Sequence, residues 1–162
     1  MESTPPLDLP LALEALKSRA TKELGRVRGV AVPGTESVGG WAQIGKCLDA
    51  LLRVTFTLLC AELGRSPDAE FRRLTENESW TIARAMAGQL AYVIPLLARE
   101  VPTRSPVIDG IIAAAHDASS PLRRAIEGRN AMVHGHAPRP VAELVALLEA
   151  LIAWSSSLAA KA

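Results

Sequence analysis

Apolar residues recur every three or four positions along most of this chain. The breaks in that rhythm fall at helix caps, glycines and prolines, so the pattern predicts a succession of helices. Residues 1–7 read as a loose tail. Asp8 is placed to cap a first helix that runs to about Leu24 and stops at Gly25. Residues 25–40 hold five glycines and a proline, including Pro33-Gly34 and Gly39-Gly40, and read as a loop. A long helix is then predicted from Trp41 to Leu63, with Trp41, Ile44, Leu48, Leu51, Leu52, Phe56, Leu59 and Leu63 on one face and Gly64 at its end. Ser66-Pro67, Ser105-Pro106 and Ser120-Pro121 each place a capping residue before a proline at the first helical position. They open helices that close near Leu74, near Asp117 and at Gly135. Thr75 to Glu78 fits a capping box for a helix reaching about Glu100, with a kink at Pro95. A last helix is predicted from Pro140 to Leu158, with Val141, Leu144, Val145, Leu148, Leu151 and Ile152 as its stripe.

The expected architecture is therefore all-α, a single-domain bundle of six to seven helices with no strand. No internal repeat at 20–50-residue spacing points to a solenoid. Residues 1–40 are set apart as a tail, helix and glycine-rich loop ahead of a bundle over 41–162.

Composition narrows this picture. A length of 162 residues suits one domain. Apolar residues make up 49% of the chain and aromatics only 4%, with Ala and Leu dominant, which favours helices over sheets. A net charge of +1 excludes a protein that lives by non-specific attraction to nucleic acid, so any such contact must come from a local patch. Cys47 and Cys60 lie in one apolar helical stretch and read as buried core thiols, not as a disulfide or a metal knuckle. His116, His134 and His136 have no carboxylate or thiolate at helical ligand spacing, so no metal and no cofactor is expected. The start of the chain has no basic region followed by an apolar one. The most apolar stretches are interrupted by Asp49 and Arg53 or by Glu143 and Glu149. A cytoplasmic protein without a membrane partner is expected.

Candidate chemistry concentrates in Arg129-Asn130-Ala131-Met132-Val133-His134-Gly135. At about 100° per residue, Leu122, Ile126, Arg129 and Val133 share one face. Arg129 thus sits in an apolar stripe and needs a partner, a route to water or a ligand, because an unpaired charge there costs several kcal/mol. His134 lies about 140° round from Arg129, while Asn130 and His134 share a face. Gly135 can unwind the helix end and re-aim the imidazole. The residue types suit phosphodiester cleavage in RNA. A histidine moves protons near neutral pH, an arginine holds phosphate, and the 2′-hydroxyl serves as an internal nucleophile without a metal.

With Arg129 followed by Asn130, a four-residue gap and His134, late in an all-helical chain, the sequence resembles the HEPN superfamily of small helical bundles. The resemblance implies a homodimer whose motif helices face each other across a cleft, with Arg129 and His134 of both copies in one composite site. It implies a metal-independent endoribonuclease of a toxin or antiviral-defence type, with RNA as substrate and an antitoxin or defence protein as a further partner. His134 would be general acid or base, Arg129 would bind the scissile phosphate, and Asn130 would position either one. One toxin subgroup carries a tyrosine two residues after the histidine as a modification site. His136 stands there instead, which puts that form of control in doubt. Arg123, Arg124, His136 and Arg139 surround the motif as candidate RNA contacts, with a solvated surface as the plain reading. Trp41, Trp80 and Trp154 read as core anchors.

Two other readings stand beside the nuclease. One is a non-catalytic HEPN-like module that binds nucleotide or protein. The other is a helical scaffold in which a buried Arg129 simply pairs with a carboxylate. A phosphate-binding Arg129 must open onto a shared cleft, and a closed ion pair inside one subunit is the opposite outcome.

Overall fold

The computed structural model describes residues 8–29, 37–133 and 141–161. Among them are seven α-helices and one 3₁₀ turn, and no strand, as the periodicity predicts. The helices are α1 (Leu9–Arg28), α2 (Ser37–Glu62), α3 (Pro67–Thr75), α4 (Ala87–Ala98), α5 (Pro106–His116), α6 (Pro121–Val133) and α7 (Val141–Ala159), with the 3₁₀ turn at Ile82–Arg84.

Helix α2 is the central element, packing against α1 on one side and against α4 and α6 on the other. Its predicted stripe is the core: Trp41, Ile44, Leu48, Leu51, Leu52 and Phe56 are fully buried and Leu59 nearly so. The helix begins four residues before the predicted start and takes in Gly39-Gly40. These glycines were expected in a loop. Gly40 in fact serves close packing, because a Cβ there would lie 1.8 Å from Oε2 of the buried Glu23 on α1. Gly64 ends the helix in the left-handed region at φ 64°, with the Arg65 N–H returning to the Cys60 carbonyl.

Helix α1 is capped by Asp8, whose Oδ1 accepts from the Leu11 N–H at 3.0 Å. It passes through Gly25 and ends at Arg28. Leu9, Leu13, Leu16, Ala20, Leu24 and Val27 are buried in the same core as α2 and α7, so the core does not divide at residue 40. Helix α7 is long and apolar enough over Ala142–Ala159 to cross a membrane by length and composition. Here Leu144, Leu147, Leu148, Leu151 and Leu158 turn into the bundle instead, and Glu143 and Glu149 are exposed.

The serine caps before α5 and α6 form as the sequence suggests. Ser105 Oγ accepts from the Ile108 N–H, and Ser120 Oγ accepts from the Arg123 N–H while donating to the Ala114 carbonyl at 2.6 Å. The capping box at Thr75–Glu78 does not form. Thr75 is the last residue of α3, and its hydroxyl donates back to the Phe71 carbonyl at 2.6 Å. Glu76 then takes a left-handed conformation at φ 55°, and Asn77 closes a turn by accepting from the N–H and hydroxyl of Ser79. Helix α4 starts only at Ala87. It contains Pro95 and ends three residues later at Ala98.

Residues between α3 and α4 are irregular but firmly held. Arg72 Nε donates to the Trp80 carbonyl at 2.9 Å, and Asp68 Oδ1 accepts from the Ile82 N–H at 2.8 Å. Arg53 donates to the carbonyls of Ile82 and Ala85 at 3.0 and 3.1 Å, and Asp49 Oδ1 accepts from the Ala87 N–H at 2.7 Å. Four charged side chains thereby bond backbone groups of the segment that links α3 to α4.

Candidate functional site

Three elements converge on Arg129. Helix α6 carries it on the apolar stripe with Leu122 and Ile126, which are 0% and 4% exposed. Arg129 itself is 5% exposed. Helix α2 presents Gly45 and, one turn later, Asp49. A Cβ on Gly45 would lie 2.4 Å from Arg129 Nε and 2.8 Å from its Cγ, so only glycine leaves room for this side chain. Beyond Gly45 the guanidinium meets Asp49, with Nη2 donating to Oδ1 at 2.8 Å and to Oδ2 at 2.9 Å. Nη1 donates to Asn130 Oδ1 at 3.1 Å. The start of α4 closes the group, since Asp49 Oδ1 also receives the Ala87 N–H. Asn130 Nδ2 is a neighbour of Gly88, 3.8 Å from where a Cβ would stand.

Electrostatically this cluster is closed. The Arg129 side chain is 6% exposed and that of Asp49 is 18% exposed, so water screens their attraction weakly. A phosphate approaching Arg129 would have to displace Asp49 or lie against its negative charge. Breaking such a buried pair costs about 3–5 kcal/mol. The sequence led to the expectation of an arginine open to a cleft shared by two copies. Within this chain the guanidinium meets a carboxylate of the same subunit, and the pair ties α6 to α2, with the start of α4 bound to the same carboxylate.

The other candidate residues separate. Asn130 is half-buried and accepts from Arg129, which gives it a place beside that residue. Arg123 does not point freely to solvent: its Nη1 donates to the Ala115 carbonyl at 2.9 Å, at the C-terminal end of α5. Arg124 is exposed, and its guanidinium has no hydrogen bond or ion pair among the described residues. His134, His136 and Arg139 lie outside the described residues. Cys60 is a buried core thiol, and Cys47 is half-buried against the core. Burial pushes Cys60 up to about 12, with Glu70 adding to the rise, and burial raises Cys47 as well. Among the described residues no group of His, Cys, Asp and Glu is arranged to hold a metal ion.

Asp49 is the residue that sequence reasoning did not assign to the site. Its signal was present: an acidic residue interrupts an otherwise apolar run on the central helix, one turn after a glycine. No family model, curated protein or solved structure matches the chain.

Proposed function

We propose that this chain is a non-catalytic HEPN-like module that binds nucleotide or protein. The observation that supports the reading is the nearly buried Arg129–Asp49 pair, in which a carboxylate that would repel a scissile phosphate already takes both Nη2–H groups of the motif arginine. The arginine of the Arg-Asn-x-x-x-His pattern then serves the helix packing on which a binding surface depends.

A second reading is favoured by one observation. Asn130, half-buried beside the start of α4, brings a free amide donor to the α6 terminus that leads into His134. On that reading the chain is a metal-independent endoribonuclease of a toxin or antiviral-defence type. It works as a homodimer with His134 as acid or base, and an antitoxin or defence protein is its partner.

Incubation of the homogeneous protein with RNA in EDTA decides between them. The binding module gives no more cleavage than the His134→Ala variant. Cutting by the wild type that His134→Ala abolishes establishes the nuclease instead. Growth arrest on expression, relieved by His134→Ala, has the same meaning.

A further inference from the structure

A second polar and aromatic surface lies away from Arg129, on the irregular segment between α3 and α4. Phe71, Ser79, Trp80, Thr81, Arg84 and Gln89 line a groove of about 420 Å³. That volume falls within the range of small-ligand pockets. Phe71 forms its floor at 1% exposure, and the Trp80 indole stacks on it with ring centroids 6.1 Å apart and an interplanar angle of 28°. Phe56 supports Phe71 edge-on from below. Trp80 was expected to be a core anchor. Instead it remains 38% exposed, a large aromatic surface supported from behind and open to the groove.

The polar groups around it are unevenly engaged. Gln89 Oε1 accepts from the Met86 N–H, so its amide NH₂ remains to donate. Arg84 is exposed, and its guanidinium has no hydrogen bond or ion pair among the described residues. The backbone that carries these side chains is held by Arg72, Asp68, Arg53 and Asp49, as described above. Their effect is to display Trp80 and Arg84 in one fixed arrangement, which removes ordering cost from binding.

A supported indole, an unpaired guanidinium and an amide donor in one groove form a complementary set for a base carrying a phosphate. Stacking on an aromatic side chain favours binding and tolerates any base, because every base has a π-face. We propose that this groove binds a nucleotide unit, with its base on Trp80 and its phosphate on Arg84. The inference deepens the binding-module reading and rests on its nucleotide branch. The unit is either a free nucleotide or one residue of a single-stranded RNA.

Titration of the full chain with adenosine 5′-monophosphate and with a hexameric oligoadenylate, followed by tryptophan fluorescence, tests this. Both ligands should quench saturably. Arg84→Gln should weaken binding at least tenfold while leaving the melting temperature unchanged, because the guanidinium makes no hydrogen bond or ion pair among the described residues. The quench should vanish in Trp80→Phe, which keeps an aromatic ring on Phe71 and removes the reporter. Tighter binding of the hexamer assigns an RNA strand, and equal binding assigns the free nucleotide. Four results overturn the proposal: no saturable quench with either ligand, unchanged affinity in Arg84→Gln, a quench that survives in Trp80→Phe, or displacement of the nucleotide by inorganic phosphate at equal concentration. Failure here leaves the cleavage assay unaffected, because that assay depends on His134 and not on Trp80 or Arg84.

Discussion

Arg129 is the side chain on which the site depends, and its surroundings set what its removal does. Arg129→Met leaves Asp49 facing an apolar wall, and Asp49→Leu leaves a guanidinium buried without its carboxylate. Each should lower the free energy of unfolding by about 3–5 kcal/mol. The double variant replaces a buried ion pair with two apolar side chains, and it should lose much less than the sum of the singles. Urea unfolding of the four proteins measures this, and additive losses would show that the two side chains do not interact. That Arg129 needed a partner was legible in the sequence, because Leu122 and Ile126 place it in an apolar stripe. The identity of the partner was not, because 80 residues separate it from Asp49 and only the packing of α6 on α2 over Gly45 brings them together. The cysteines allow a second measurement at this scale. A thiol whose pKa rises from 9.0 to about 12 has, at pH 8, about a thousandfold less thiolate. Ellman's reagent at pH 8 should therefore leave Cys60 unmodified in the native chain and modify it in urea. The native reaction should quicken as the pH is raised toward 12.

At the scale of elements, local chemistry predicts most helix starts and misplaces two, those of α2 and α4. Asp8, Ser105 and Ser120 cap as the sequence suggests, each offering its oxygen to an N–H three residues on, whereas Ser66 stands before Pro67 without a side-chain cap bond. Thr75 has the same capacity but sits at the end of α3. A hydroxyl there bonds back to the carbonyl four residues earlier, and the forward capping box loses the competition. The segment that follows is set by tertiary contacts: Asp49 and Arg53 reach it from α2, and no local pattern announces them. Glu76 shows what this arrangement costs. It ends α3 in a left-handed conformation that disfavours side chains with a Cβ by about 1–2 kcal/mol. Glycine is the usual residue at such a position. After the larger conformational freedom that glycine gives the unfolded chain is offset, Glu76→Gly should stabilise the protein by about 0.5–1 kcal/mol. Calorimetry should show a rise in melting temperature of a few degrees. A fall would mean that the Glu76 side chain contributes more than its backbone geometry costs.

The whole molecule is organised around α2, and the arrangement of its neighbours decides what can be removed. Composition and periodicity led to the correct class, an all-α bundle, because Ala and Leu at three- and four-residue spacing leave few alternatives. They did not show that the first helix belongs to the same core, because the glycine-rich stretch after it looks like a linker when read alone. In the fold, Leu9, Leu13, Leu16, Leu24 and Val27 are buried, and α1 lies between α2 and α7. Full burial of each such side chain is worth about 1.5–3 kcal/mol. Together they match the whole net stability of an ordinary domain, about 5–15 kcal/mol. An adaptor that merely follows the bundle could be cut away without loss, whereas a core helix could not. Deletion of residues 1–36 should therefore give a chain without a cooperative thermal transition, bound strongly by hydrophobic dyes and quickly digested by protease. Restoring α1 as a separate peptide should recover the transition if its role is packing alone. A truncated chain that melts cooperatively near the wild-type temperature would show that residues 37–162 fold independently, and would return α1 to the status of an appendage.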